Sequence, residues 1–245
     1  MDILKPGRPP GWEQPKLTAY FETLWANTVA TFAQKNESHR LCRIDDLMFE
    51  IASGWKGKSP TAASIVPLMM FFRSHSAFRA AAALGMGGAV VEGMAGLRQC
   101  LEFAGYASIV NNDKVLAQIW WDRDQNDESE KKVRRAFTHG AVQSAIRQSD
   151  ARLAEIYDDL YDRVIQFGAH PNEKSVSGSL KLDVQKTETV LLQIYLQGEG
   201  SQLDHWIHTA NQVGICVLKV FEHIHTTRFA DLGMSARIDA LAKDL

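Results

Sequence analysis

The residues of this chain best placed to do chemistry are Arg163 and His170, in the run Tyr161-Asp162-Arg163-Val164-Ile165-Gln166-Phe167-Gly168-Ala169-His170-Pro171-Asn172. Seven steps of about 100° each bring His170 back to within roughly 20° of Arg163 on an ideal helix. Pro171 disfavours the α conformation in the residue before it, and Gly168 is a helix-stop signal. His170 is therefore expected just beyond a helix C-terminus, where the last carbonyls favour a protonated imidazole. Read without chemistry, His170-Pro171-Asn172 is a helix-stop turn and Arg163 a structural ion-pair partner.

Glu92 is the only charge between Arg79 and Arg98. In that run of small and apolar residues a carboxylate is expected to be buried, and it must find a partner or take a proton. Arg79, Arg163 and His170 are the candidate partners. Arg73, His75 and Arg79 cluster at a helix entrance, where Ser74 and Ser76 can cap the helix or coordinate phosphate. Arg98 and Glu102 read as an ion pair one helical turn apart.

His205, His208, Glu222, His223 and His225 share the last long helical stretch. A di-iron bundle needs two Glu-x-x-His motifs with glutamates from other helices, and only one such motif is present here. His208 and Glu222 are also about 21 Å apart along a helix. These histidines read as solvated or helix-packing, and no metal site is expected. Cys42 lies between Arg40 and Arg43, neighbours that can lower a thiol pKa, but no base accompanies it. Cys100 and Cys216 are far from it and there is no CxxC, which argues for a reducing compartment and against a zinc ribbon or disulfide framework.

The Arg163-x6-His170 spacing resembles the signature of the HEPN superfamily, an Arg and a His separated by four to six residues late in a four-helix core. The Tyr-x-x-x-Ile-x-x-x-x-His-Pro-Asn pattern from Tyr161 to Asn172 is also similar to uncharacterised bacterial helical families related to it. The resemblance covers roughly Arg73 to Asn172. It implies an RNA-cleaving site assembled across a homodimer, without metal or cofactor. His170 would handle protons, Arg163 would hold phosphate and Glu92 would orient one of them, with Arg73, Arg79 and Asn172 contacting substrate. One departure is Val164, where the residue after the Arg is usually polar. The expected function is thus an RNA-binding protein, a metal-independent ribonuclease of bacterial stress or defence type. The alternative is a noncatalytic helical module that binds a protein partner or a small ligand.

These residues must be positioned by helices. Leu17, Phe21, Leu24, Trp25, Val29 and Phe32 recur at three- and four-residue steps, which predicts an amphipathic helix from Lys16 to about Gln34. A second helix is expected from about Arg40 to Ala52, stopping at Ser53-Gly54. Two more share the stretch from Thr61 to about Val110, meeting near Gly85-Met86-Gly87-Gly88. Gly85, Ala89 and Gly93, with Ala82, Ala95 and Gly96, let neighbouring backbones approach closely and mark a buried central helix. Asn111-Asn112-Asp113 ends that stretch and caps a short helix running through Trp120-Trp121. Further helices are expected from Asp127 to about Arg147, from Ala151 to Phe167, from Ser201 to Phe229 and from Ser235 to the end. Leu180, Leu182 and Val184 alternate with polar residues, as do Val190, Leu192, Ile194 and Leu196, which predicts a β-hairpin near 178–197. A short helix from Thr189 is the alternative there. The fold class is mainly α: a bundle of roughly seven or eight helices with one hairpin.

Four of the seven prolines fall in the first fifteen residues, so residues 1–15 read as an irregular Pro-rich arm and 16–245 as one helical domain. A chain of 245 residues builds a full core without disulfide or metal support. The net charge of −2 gives no global signature of nucleic-acid binding, although a local basic face is compatible with it. Lys131, Lys132, Arg134 and Arg135 follow a run of acids and read as an ordinary charged helix face. The most apolar stretch, Ala80 to Val91, is 12 residues long against the ~20 that a bilayer needs. The start of the chain has no apolar signal region, so a cytoplasmic protein with no membrane contact is expected.

Overall fold

In a computed structural model the described residues are 10–12, 16–55, 61–184 and 189–245. Most of the expected Pro-rich arm lies outside them. The chain runs through α1 (Lys16–Gln34), α2 (Asn36–Ala52), α3 (Ala62–Met86), α4 (Val90–Asn112), α5 (Lys114–Trp121), a 3-10 turn (Arg123–Gln125), α6 (Asp127–Ala136), α7 (His139–Ser149) and α8 (Ala151–Val164). A π turn (Ile165–Ala169) and the short α9 (Glu173–Ser177) lead into β1 (Leu180–Val184) and β2 (Thr189–Gln193). α10 (Ser201–Ile224), α11 (Thr226–Asp231) and α12 (Met234–Ala242) complete the chain. The fold is mainly α, as expected, and the strands form one antiparallel pair with Lys181 opposite Leu192 and Val184 opposite Thr189.

The helices outnumber the expected seven or eight because several long stretches are cut by local caps. Thr138 accepts a hydrogen bond from the Ala141 amide at 3.3 Å, which starts α7 and splits the helix expected over 127–147. Asp113, Asn126, Asp150 and Asn172 likewise accept from the amides of Val115, Ser129, Leu153 and Ser175. Each such cap satisfies an amide left over at a helix start and is worth about 1 kcal/mol. α10 ends at Ile224, and His225 begins the turn into α11.

α3 and α4 pack closely along their lengths, and α10 crosses both. The small residues make this possible. A Cβ on Gly93 would stand 3.2 Å from the Gly85 Cα, and one on Gly96 would stand 2.9 Å from the Ala81 Cβ. The indole of Trp206 on α10 fills the groove that Gly85 and Gly93 leave, and it is fully buried. Leu97, Cys100, Leu101 and Ala104 of α4 are also completely buried, so α4 is the expected central helix. Buried apolar residues from Leu41 to Leu241 form one continuous cluster.

α1 departs from what its pattern suggests. The side it turns inward is largely polar: Asn27 donates to the Gly87 carbonyl at 3.0 Å and Thr31 to the Met86 carbonyl at 2.9 Å. Leu17, Phe21, Trp25, Val29 and Phe32 remain exposed. Periodicity identifies a face of a helix; it does not say what that face meets. Among the described residues no helix is long and apolar enough to cross a membrane.

Candidate functional site

The run from Arg163 to Asn172 is held by the π turn that extends α8. A π turn leaves backbone groups out of the usual ladder, and such turns occur often at functional sites. Here the Asn172 side-chain amide donates to the Ile165 carbonyl at 2.9 Å, while its oxygen accepts from the Ser175 amide at 3.0 Å. Asn172, expected to contact substrate, is thus the staple of its own turn. Gly168 lies directly against α4: a Cβ there would stand 2.6 Å from the Val91 carbonyl oxygen and 2.9 Å from its Cα. His170 follows in an extended conformation (φ −143°, ψ 142°), as its place before Pro171 requires. Its ring is exposed, with Nδ1 3.3 Å from the Pro171 carbonyl oxygen.

Arg163 turns elsewhere. Its Nη1 donates to Oε1 of Gln212 on α10, and it lines a groove of about 450 Å³ with Asp159, Gln212 and Lys219. Among the described residues no hydrogen bond joins Arg163 to His170. Helical phase alone put them on one side, but the π turn and the extended residue that follows change that phase.

Glu92 is a correction. It is exposed, not buried, and it lies in the first turn of α4. There an acid is favoured by the helix N-terminus without any buried partner, so the burial expected of it is not found. The Arg73/His75/Arg79 cluster is also not a free anion site. Asp45 of α2 accepts from Arg79 Nε at 2.7 Å and Nη2 at 3.0 Å, and it lies 2.7 Å from His75 Nε2. Arg73 is exposed with its guanidinium 5.6 Å from the Phe103 ring centre, and Ser74 is buried and donates to the Cys100 carbonyl at 2.8 Å.

Burial alone would raise the Asp45 carboxyl, but the hydrogen bonds from His75 and Arg79, with their charge, hold it down at about 2. Stability from a depressed carboxylate is fully present above its unfolded pKa of about 3.9 and is lost as the pH falls toward the folded value. Because Arg79 is half exposed, we expect Asp45→Asn to lower stability by only about 1–2 kcal/mol at pH 7. In urea melts the gap from the wild type should narrow from about pH 4 downward. A gap that is constant with pH would mean the cluster carries no charge-dependent stability.

Other expectations resolve plainly. Arg98 donates to Glu102 at 2.9 Å within α4, as their spacing suggested, and Tyr161 joins them by donating to the same oxygen at 3.0 Å. Burial, then Asp45 and Asp46, raise the Cys42 thiol. The carboxylates three and four residues on therefore outweigh the flanking arginines, and the thiol is not activated. Burial raises Cys100 to about 12 and lowers His225 to about 4. Among the described residues no three His, Cys, Asp or Glu side chains gather as a metal site.

What the fold does assemble is a cleft of about 420 Å³ between the start of α4, the π turn, α9 and the start of α10. Val90, Val91, Met94 and Phe167 form its apolar wall, and Lys174, Ser177, Gln202 and His205 supply its polar groups. The Phe167 ring lies 4.5 Å from that of His205 and 5.1 Å from the Lys174 ammonium. His205 Nε2 is shielded from solvent and has no hydrogen-bond partner among the described residues. Burial, then the nearby Arg163 and His208, push its pKa below the usual imidazole value, which favours the neutral ring. Sequence reasoning named His205 only as a packing histidine and passed over Phe167 and Lys174. Nothing in the order of residues links position 174 to position 205; they line one cleft because α9 packs on the π turn and the Gly178 carbonyl after it accepts from Gln202 at the start of α10.

No protein-family model, curated protein or solved structure matches the chain.

Proposed function

We propose that the chain is a noncatalytic helical module that binds a small carboxylate bearing a short apolar chain or ring. The observation that carries this reading is the cleft's composition: an apolar wall with two strong polar handles, the Lys174 ammonium and the unpartnered Nε2 of His205. Its volume falls in the range of small-ligand pockets. A ligand carboxylate would pair with Lys174 and, once a shift of the neighbouring Phe167 ring opens the shielded Nε2, accept a hydrogen bond from His205, giving the imidazole the partner it lacks. The apolar portion would lie against Val90, Met94 and Phe167. Octanoate titrated calorimetrically into the full chain should bind, and Lys174→Ala or His205→Phe should each weaken it about tenfold, the effect of one charge-assisted hydrogen bond. Absence of binding, or binding indifferent to both substitutions, would overturn the reading.

A second reading keeps the HEPN-like expectation of RNA binding and metal-independent cleavage by a homodimer. What supports it is that Arg163 lines a groove and His170 keeps its ring exposed, so both are accessible to RNA. Under it, the purified protein cleaves single-stranded RNA in the presence of EDTA. Arg163→Ala and His170→Ala abolish cleavage, whereas cleavage that survives His170→Ala would remove the proton-handling role from His170. Under the binding-module reading no RNA is cleaved by the wild type or by any of these variants.

A further inference from the structure

We infer that the outward face of α1 is the surface through which two copies of this chain pair. Leu17, Phe21, Trp25, Val29 and Phe32 run along that helix with 63, 46, 53, 42 and 45 % of their surface exposed. A single exposed apolar residue needs no explanation, but a contiguous patch does. The exposure is built in. Asn27 and Thr31 lock the other side of α1 to the Gly87 and Met86 carbonyls, so the helix cannot roll its apolar side inward without breaking both bonds. Trp12 extends the stripe, its ring 6.4 Å from that of Phe21 and its Nε1 donating to Glu22 at 3.1 Å.

The stripe's chemistry selects its occupant. Lys16 and Glu22 are the only charges in the nineteen residues of α1. Interfacial helices that bind anionic lipid carry a basic flank, and nucleic acid requires several cations; α1 supplies neither. A second copy needs only self-complementarity about a two-fold axis. With aromatic side chains offering ~150–250 Å² each, and Leu17 and Val29 less, the five at about half exposure present roughly 500 Å² per copy at most. Stripe on stripe therefore buries up to about 1,000 Å², the level at which a specific interface becomes credible. Trp25 lies near the middle of the stripe, so an antiparallel pair of α1 helices places it on the axis. None of the five residues lines the Lys174/His205 cleft, so this inference stands or falls independently of the ligand.

Sedimentation equilibrium on the full chain at about 10 μM, where a standard interface is occupied, tests it. The expected mass is twice the 27.4 kDa of one chain. Trp25→Glu should shift the protein to monomer with an unchanged far-UV circular dichroism spectrum. Val115→Glu, at a residue 66 % exposed on α5, should leave it dimeric. A monomeric wild type overturns the inference, and so does a Trp25→Glu variant that stays dimeric. Co-sedimentation with phosphatidylcholine/phosphatidylserine vesicles serves as the competing arm. A wild type that is monomeric in solution and vesicle-bound would make the stripe a lipid-facing surface instead.

Discussion

Replacing Gly85 with alanine is expected to cost roughly 3 kcal/mol, the upper part of the range for overpacking a tight core, and to lower Tm by about 10 °C. A Cβ on Gly85 would stand 2.0 Å from Cε2 and 2.2 Å from Cζ2 of Trp206. Those atoms belong to a rigid bicyclic ring with no exposed surface, so they cannot swing into solvent as the end of a lysine could. The opposite wall is closed as well, since a Cβ on Gly93 would meet the indole Nε1 at 2.5 Å. Relief therefore requires α10 to move away from the α3–α4 pair, which opens packing along the central helix. Trp206→Phe should recover part of the loss in the Gly85→Ala background while being destabilising on its own. That sign reversal is the mark of two residues sharing one space. Thermal and urea melts of the two single variants and the double variant would settle it. A Gly85→Ala protein within about 0.5 kcal/mol of the wild type, the usual span for neutral surface changes, would show that the indole does not occupy this groove.

Gly168→Ala is expected to damage the cleft and the fold together. The methyl group would meet the carbonyl oxygen and Cα of Val91 at 2.6 and 2.9 Å. These are backbone atoms of a helix, with no rotamer through which to yield. The π turn must then lift from α4 and carry Phe167 away from His205, a ring contact now at 4.5 Å. We expect a stability loss of about 2 kcal/mol, again an overpacking cost, and a loss of tenfold or more in octanoate affinity. The two readouts separate the causes. Lost stability with no octanoate binding even in the wild type would keep the packing argument and remove the ligand. Unchanged stability would mean that the turn does not rest on α4.

The sequence by itself determined most of the local architecture. Helix hydrogen bonds and caps link residues three to five apart, so their signals sit next to one another in the chain. Lys16–Gln34 emerges as α1 with the expected bounds, the expected capping runs Asn111-Asn112-Asp113 and Ser149-Asp150 each supply one cap, Asp113 and Asp150, and the Gly85–Gly88 run separates α3 from α4. The small residues of that region also announced a close helix crossing, because the space a glycine leaves is a property of the residue itself. The alternating residues around 180–194 were read correctly as a hairpin, whose pairing is likewise local.

Only the tertiary structure decided which faces and which polar groups meet. Helix bounds do not say which way a first-turn side chain turns: Val90 and Gly93 are buried there, and Glu92, expected buried, lies on the exposed side of α4. The π turn changed the angular relation of Arg163 and His170, which an uninterrupted helix would have kept. Asp45 joins His75 and Arg79 across 30 and 34 residues, and Lys174 shares a cleft with His205 because α9 packs on the π turn. Even α1, the helix whose bounds were plainest, presents its apolar stripe outward. A 3.6-residue period tells which side chains share a face; whether that face looks at the core or at solvent depends on crossing angles and on polar contacts such as those of Asn27 and Thr31, made with residues more than fifty positions away.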